Sequence, residues 1–197
     1  MTSPNVPAPA QGFVVRRAEL EDTEAVLESV WELAKASATA AHWSRAAFYP
    51  YIATEPESGE LQAKALFLAC VNPAAHEIAA AGGDQRIATM KRIVGFAAFS
   101  AILTIGAGES TLENMTVTMS WQRQGVGRRL LAAGLLWSRA RAAGTVFLEV
   151  RASNRPAISL YERAAFSVVG RRPGYYREPA EDGLQMQKSL GCSASAG

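Results

Sequence analysis

The sequence is poor in the residues that build disulfide frameworks and metal centres. It contains only two cysteines, Cys70 and Cys192, and only two histidines, His42 and His76. Two cysteines, one in an apolar run and one in a Gly/Ser/Ala-rich tail, exclude a disulfide scaffold and a cysteine-ligated metal site. Two isolated histidines disfavour histidine-based metal chemistry. We therefore expect a function that uses no metal ion.

Long hydrophobic runs are also missing. The longest apolar stretch, Ile93–Leu103, is about half as long as a membrane-spanning helix, and Gly95 and Ser100 interrupt it. Residues 1–11 contain three prolines but neither a charged n-region nor an apolar h-region, so they predict a flexible tail and not a signal peptide. These absences predict a cytoplasmic protein that does not associate with a membrane.

The composition is that of one ordinary globular domain. The 197 residues are 49% hydrophobic and 19% charged, which argues against disorder, collagen-like repeats and coiled coil. We expect a single domain over residues 12–190, with an insertion or long loop at 72–92 and a flexible tail at 191–197.

Charge is unevenly distributed along the chain. Residues 122–177 contain eleven arginines and two acidic residues, although the net charge of the whole chain is only +2. A strongly basic half predicts an anionic ligand. The arginines are dispersed and are not interleaved with aromatic residues, so a compact phosphate-bearing ligand is favoured over nucleic acid.

The hydrophobic patterning predicts an α/β fold. The C-terminal half alternates strand, helix, strand, helix and strand, an order that implies at least one parallel strand pair. Strands are predicted at residues 13–17, 65–71, 93–102, 110–117, 145–151, 166–170 and 184–190, and helices over about 22–34, 44–50, 126–143 and 154–165.

A glycine-containing loop lies between a predicted strand and the helix that follows. In Gln122-x-x-Gly125-x-Gly127, the unpaired N–H groups of residues 123–128 can converge on one point at the positive end of the helix dipole. Glycine permits close approach of phosphate oxygens, and Arg128 adds positive charge. The loop therefore predicts a pyrophosphate cradle. The alternative is an ordinary turn followed by solvated arginines.

Two further runs carry a family resemblance. Residues 148–166 read Leu-Glu-Val-Arg-Ala-Ser-Asn-Arg-Pro-Ala-Ile-Ser-Leu-Tyr-Glu-Arg-Ala-Ala-Phe, and residues 171–176 read Arg-Arg-Pro-Gly-Tyr-Tyr. With the glycine loop, they resemble the GNAT superfamily of acetyl-CoA-dependent N-acetyltransferases, and within it the bacterial ribosomal-protein-alanine N-acetyltransferases. The resemblance covers the chain from Ser110 to Leu190. It implies a mixed, mostly antiparallel central sheet with a splayed parallel strand pair, flanked by helices.

The resemblance also implies an activity. Acetyl-CoA would donate its acetyl group directly, in a ternary complex, to the N-terminal amine of a protein, an alanine of a small-subunit ribosomal protein. Glu149 would be the general base, and Tyr161 would protonate the departing coenzyme A thiolate, since the pKa of a phenol lies above that of a thiol. The alternatives are that Glu149 faces solvent or pairs with Arg151, and that Tyr161 is a core aromatic residue.

The remaining site residues follow from the same resemblance. Asn154 would bind the pantetheine arm, a role compatible with capping the helix that it precedes. Backbone groups of the strand before the loop would bind pantetheine and stabilise the oxyanion. The implied cofactor-binding residues are Met115, Val117, Gln122, Arg123, Gln124, Gly125, Val126, Gly127, Arg128, Asn154 and Tyr161. Glu113, Asn114 and Tyr176 would bind the acceptor, and Tyr175 would be either part of that wall or buried.

Departures from the family pattern keep other functions open. Glu113 stands where an apolar or aromatic residue is usual, so it would suit a positively charged small amine such as a polyamine, an amino acid or an antibiotic. A peptide acceptor needs an open groove beside the thioester, whereas a small amine needs a closed acidic pocket. A non-catalytic acetyl-CoA-binding module is a third interpretation.

Overall fold

The computed structural model describes residues 12–19, 23–37, 41, 43–52, 62–72, 92–102 and 108–191. Within these residues, the strands are β1 (Phe13–Arg17), β2 (Gln62–Val71), β3 (Arg92–Ile102), β4 (Gly108–Val117), β5 (Ala143–Arg151), β6 (Ser167–Arg177) and β7 (Ala180–Ser189). The helices are α1 (Thr23–Lys35), α2 (Val126–Ala140) and α3 (Arg155–Arg163), with short 3₁₀ helices at Arg45–Tyr51 and Met119–Trp121.

The seven strands form one mixed sheet in the order β1-β2-β3-β4-β5-β7-β6. All neighbouring strands are antiparallel except β4 and β5, which are parallel. The helical connection α2 between β4 and β5 makes this parallel pairing possible. The predicted fold class, a mostly antiparallel sheet with one parallel pair, is confirmed.

Hydrophobic cores cover both faces of the sheet. On the α2 face, which α2 and α3 cover, the buried residues include Phe99, Leu130 and Leu148. On the α1 face, which α1 and the 3₁₀ helix Arg45–Tyr51 cover, they include Phe48 and Phe96. The α1 helix buries four residues at helical spacing, namely Val26, Leu27, Val30 and Ala34. A sheet covered on both faces explains why β2 and β3 are apolar almost throughout.

A β-bulge in β4 changes which side chains face each core. Ala98 of β3 pairs with Asn114, but the next residue, Phe99, pairs with Leu112, so Glu113 is the extra residue. Leu112 is in the α2-face core, and after the bulge it is Met115 and Val117 that pack there. The bulge therefore re-aims the last four residues of β4.

The β6–β7 hairpin is longer than the sequence predicts. The sequence predicts that one strand begins at 166–170 and that the last strand covers 184–190. Pro173 and Gly174, between them, are of types common in turns. In the structure these residues lie within β6, where the register shifts between Arg172 and Tyr176. Gly174 has φ +61°, and its N–H donates to the Asp182 carboxylate at 2.8 Å. The turn-forming residues thus form a bulge inside the strand.

The predicted helix over 126–143 is slightly too long. The helix ends at Ala140, Ala142 takes a left-handed φ of +55°, and β5 already begins at Ala143. Tertiary pairing of Ala143 with β4 decides this boundary.

Some predictions lie outside the described residues. These are the N-terminal tail at 1–11, nearly all of the 72–92 insertion and the C-terminal tail beyond Gly191. In the part of the chain that the structure describes, every helix is too short or too polar to cross a membrane.

We predict that Gly134→Ala destabilises the protein. A Cβ at position 134 would overlap the buried ring of Phe99. Overpacking costs about 1–3 kcal/mol, which exceeds the gain of up to about 1 kcal/mol that alanine brings in a helix. Denaturant unfolding should show a net loss of roughly 1–2 kcal/mol.

Leu136→Ala is the matched control, because Leu136 lies on the same helix and is 68% exposed. Its effect should stay below about 0.5 kcal/mol. An unfolding free energy of Gly134→Ala equal to or above that of the wild type would contradict the close contact between α2 and β3.

Candidate active site

The parallel pair of β4 and β5 is incomplete. Pairing runs from Gly108 with Ala143 to Leu112 with Leu148 and then stops. Beyond that point β4 remains paired with β3, and β5 remains paired with β7. The two strands therefore diverge within the sheet, which leaves backbone groups on their facing edges for another partner.

A cavity of about 480 Å³ lies where the strands diverge. Glu113 and Glu149 are the first residues beyond the last β4–β5 pair, and both line this cavity. Its wall is made by Ala41, Glu109, Thr111, Leu112, Glu113, Phe147, Leu148, Glu149, Tyr175, Tyr176 and Gln185. The lining contains three carboxylates, so the cavity suits a cationic or hydrogen-bond-donating ligand.

The Glu149 carboxylate is held by β6. Arg172 donates from Nη1 to Glu149 Oε1, and the Arg172 guanidinium stacks 4.3 Å from the centre of the Tyr175 ring. The hydrogen bond from Tyr175 to Glu149 and, to a smaller extent, burial raise the pKa of Tyr175 to about 12. The Glu149 side chain is 24% exposed, so it can still be reached from the cavity. The alternative that Glu149 pairs with Arg151 is wrong.

Arg151 instead anchors the β6–β7 turn. It is 5% exposed and donates to the carbonyl oxygens of Glu178 (2.8 Å) and Pro179 (3.1 Å). It also pairs with Glu181 and lies 4.1 Å from the centre of the Tyr176 ring. Tyr176, a cavity residue, is thereby supported by a buried cation.

Tyr161 lies on the α2 face of the sheet. It is 6% exposed, and its ring packs 5.9 Å from that of Phe166. Burial, with a smaller influence from Tyr176, raises the pKa of Tyr161 above its usual value. The phenol therefore stays protonated at neutral pH and can act as a proton donor.

The glycine loop is tied to the end of β4. Gln122 Nε2 donates to the Val117 carbonyl at 3.1 Å, and Gln124 Nε2 donates to the Ser120 carbonyl at 2.8 Å. Gly125 has φ +84°, a left-handed conformation that favours glycine, directly before α2. The first-turn N–H groups of α2 have no partner within the helix and point out of its N-terminus.

Gly127 has a packing role beside the role predicted for it. A Cβ at this position would lie 3.3 Å from Leu160 Cδ2 and 3.9 Å from Val117 Cγ2. Glycine thus lets the start of α2 approach both β4 and α3. The two arginines that follow are both exposed, and Arg129 donates to the Phe13 carbonyl at 3.2 Å and stacks on the Phe13 ring.

Two predicted site residues have supporting contacts. The Asn154 side chain accepts a hydrogen bond from the Ala157 N–H at 3.2 Å, so it caps α3 as expected. Asn114 is 4% exposed and donates from Nδ2 to the Ala41 carbonyl at 3.1 Å. Ala41 lines the cavity, so Asn114 supports the wall from behind.

Comparison with known proteins identifies the family of this chain. Residues 34–166 match the acetyltransferase (GNAT) family. The chain belongs to this family. It is 45% identical to a ribosomal protein bS18-alanine N-acetyltransferase of Escherichia coli over 85 residues. These residues make up 43% of this chain and 56% of that relative. The chain thus spans about half the length of the curated relatives it matches.

Solved GNAT-type structures share the whole fold. The ribosomal-protein-S18-alanine N-acetyltransferase from Escherichia coli aligns with a TM-score of 0.63 at 24% identity, over 94% of this chain and 98% of that one. The NatC complex bound to Gag peptide and CoA aligns with a TM-score of 0.71 at 16% identity, over 91% and 99% of the respective chains. At these identities the likeness concerns the fold.

Sequence reasoning missed two contacts of this site. Arg172 belongs to a run that carries the resemblance, but nothing local indicates that it pairs with Glu149, which precedes it by 23 residues. Ser100, which donates to Glu113 at 2.6 Å, has no sequence signal because it lies in an apolar strand. Of the two alternatives for Tyr175, the buried one is wrong, because Tyr175 is 41% exposed and lines the cavity.

We predict that Glu181 contributes to stability in a pH-dependent way. Hydrogen bonds from Ser153 and the charge of Arg151 lower the pKa of the Glu181 carboxyl in the folded protein. A lowered folded pKa stabilises the fold above the unfolded pKa of about 4.3, and this contribution is lost as pH falls through the folded pKa. Urea unfolding of Glu181→Gln should therefore lose less stability than the wild type between about pH 6 and about pH 3.

Glu178→Gln, at an exposed position in the same turn, is the control and should leave the pH dependence unchanged. Parallel pH–stability curves for wild type and Glu181→Gln would contradict the assigned role of Glu181.

Proposed function

We propose that this protein transfers the acetyl group of acetyl-CoA to the N-terminal α-amine of a protein, an alanine of a small-subunit ribosomal protein. The observation that carries the proposal is the divergence of β4 from β5, with the carboxylate of Glu149 in the cavity and the buried phenol of Tyr161 on the other face of the sheet. This arrangement separates a proton acceptor from a proton donor across one opening.

Acetyl-CoA would bind at the α2 side of the opening. The N–H groups at the start of α2 and the left-handed loop before it offer donors for the pyrophosphate, beside the exposed Arg128. The unpaired edge of β4 around Met115–Val117 offers backbone groups to the pantetheine arm, and Asn154 lies at the start of α3. A CoA ligand in the NatC neighbour supports the same class of co-substrate here.

The transfer would proceed in one ternary complex. Glu149, directly or through a water, removes a proton from the acceptor ammonium, whose pKa in solution is about 8. The free amine attacks the thioester carbon, and a backbone N–H of β4 stabilises the oxyanion that forms. The carbon–sulfur bond then breaks, and Tyr161 gives its proton to the coenzyme A thiolate. The raised pKa of Tyr161 keeps this proton in place until the thiolate forms. The attacking nitrogen, positively charged after the attack, loses its second proton to solvent, and Tyr161 regains a proton from solvent.

A protein N-terminus is favoured over a small amine by the exposure of the cavity wall. Tyr175 is 41% exposed, and Glu109 and Glu113 are exposed as well. An extended peptide needs such an open groove. The names of the bS18-alanine relatives and the peptide in the NatC neighbour point the same way.

A small cationic amine is the second candidate acceptor. The three carboxylates of the cavity, Glu109, Glu113 and Glu149, favour it because they would attract a polyamine or an aminoglycoside-type antibiotic.

We expect Glu149→Gln and Tyr161→Phe each to lower the turnover of acetyl-CoA and a peptide acceptor by at least about tenfold. Both side chains keep their shape, so acetyl-CoA should still raise the melting temperature of each variant. Thioester consumption measures the turnover, and thermal unfolding measures the binding.

Glu162→Gln is the control for this pair. Glu162 is exposed and adjoins Tyr161 on α3, so its replacement should leave turnover within about twofold of the wild type. Wild-type rates in Glu149→Gln and Tyr161→Phe would refute the roles assigned to the two residues.

Acceptor choice is tested by thioester consumption with a panel of amines. A short peptide that begins with alanine, copied from the host's own small-subunit ribosomal protein, should be acetylated. Polyamines, free amino acids and aminoglycosides should cause no thioester consumption. The reverse result would keep the acetyl-transfer mechanism and assign it to a small amine. Silence with every amine would refute acetyl transfer to amines.

A further inference from the structure

The backbone places Glu113 at the mouth of the opening between β4 and β5. Glu113 is the extra residue of the β4 bulge, and it directly follows Leu112, the last residue of β4 that pairs with β5. Glu149 directly follows Leu148, the pairing partner of Leu112. The two glutamates are therefore level with each other on opposite sides of the opening, and both line the cavity.

The two carboxylates differ in how they are neutralised. Arg172 balances the charge of Glu149. Glu113 accepts a hydrogen bond from the neutral hydroxyl of Ser100 at 2.6 Å, and it forms no ion pair with any residue that the structure describes. Of the two glutamates level with each other at the opening, Glu113 is therefore the one whose charge no described cation balances.

Lys64, a cation on the neighbouring strand β2, is engaged with an aromatic ring. Lys64 lies opposite Ser100 in the β2–β3 pair, but its amino group is placed over the Tyr51 ring, 5.1 Å from the ring centre. Burial of Tyr51 and, to a smaller extent, the negative charge of Glu113 raise the pKa of Tyr51. A carboxylate has several acceptor positions, so the Ser100 bond leaves room for another donor.

We propose that Glu113 binds the ammonium group of the acceptor before its deprotonation, so that it selects for amines that arrive protonated. This inference deepens the proposed acetyl transfer and rests on it. Glu113 attracts and holds the cationic nitrogen at the opening, whereas Glu149, whose charge is balanced by Arg172, takes up the proton. Glu113 would then affect acceptor binding and leave the chemical step nearly unchanged.

The test compares the wild type with Glu113→Gln by steady-state kinetics on two alanine-initiated peptides, one with arginine and one with serine as its second residue. Glutamine retains the size of the side chain and a partner for Ser100 but removes the charge. We expect KM for both peptides to rise about tenfold, with kcat within about twofold. Added salt should raise KM of the wild type more than KM of the variant, because salt screens an ion pair.

Glu162→Gln removes a negative charge from an exposed position of α3 that does not line the cavity, and should leave KM and kcat unchanged. Stabilisation of Glu113→Gln by acetyl-CoA, equal to that of the wild type, shows that the variant is folded and binds the donor.

Three results would overturn the inference while the proposed function stands: an unchanged KM, a loss confined to kcat, or a rise in KM with the arginine peptide alone, which would assign Glu113 to a side-chain subsite. The absence of turnover by the wild type would refute the proposed function, and this inference with it.

Discussion

The end of parallel pairing at Leu112 and Leu148 is the constraint on which the rest of the site depends. β4 stays bonded to β3 as far as Val117, and β5 stays bonded to β7 as far as Arg151. Each strand is thus held straight by an antiparallel neighbour on its outer side, so that the two diverge without fraying. The opening is a stable feature of the sheet, and its unpaired backbone groups are oriented in advance of any ligand.

Several small features keep this opening in place. Gly95 of β3 faces Val117, and a Cβ there would lie 2.8 Å from the Thr116 carbonyl, so glycine permits the close approach of β3 to the end of β4. Arg151 secures the β6–β7 turn from the far end of β5. Asn114 ties the chain at Ala41 to β4. Each contact joins segments that are distant in sequence, so the cavity depends on the whole fold.

The same geometry separates the ionisable groups. Glu149 lies among cationic and phenolic partners from β6, Glu113 lies beside a hydroxyl from β3, and Tyr161 is buried on the other face of the sheet. Burial favours the neutral phenol, whereas the carboxylates keep access to solvent and to partners that stabilise charge. The sheet thus holds a buried phenol and two carboxylates in different environments.

The sequence predicted some of the site residues but not the contacts between them. Glu149 and Tyr161 were assigned by resemblance, since they stand 12 residues apart in one contiguous run. The contact of Arg172 with Glu149 was not foreseen, because β7 is inserted between β5 and β6 and Arg172 reaches across its partner Gly183. Strand β7 begins at Ala180, before its predicted start at residue 184, and long-range pairing with it accommodates Pro173 and Gly174 as a bulge in β6.

By itself, the sequence determined what depends on neighbours a few residues apart. The left-handed Gly125 before α2, the capping Asn154 and the apolar stripe of α1 follow from local sterics and helical periodicity. Only the tertiary structure decided where β4 and β5 diverge and which partner each glutamate receives. Strand register is a property of segments remote in sequence, and a shift of one residue, such as the bulge at Glu113, reverses the face on which the following side chains lie.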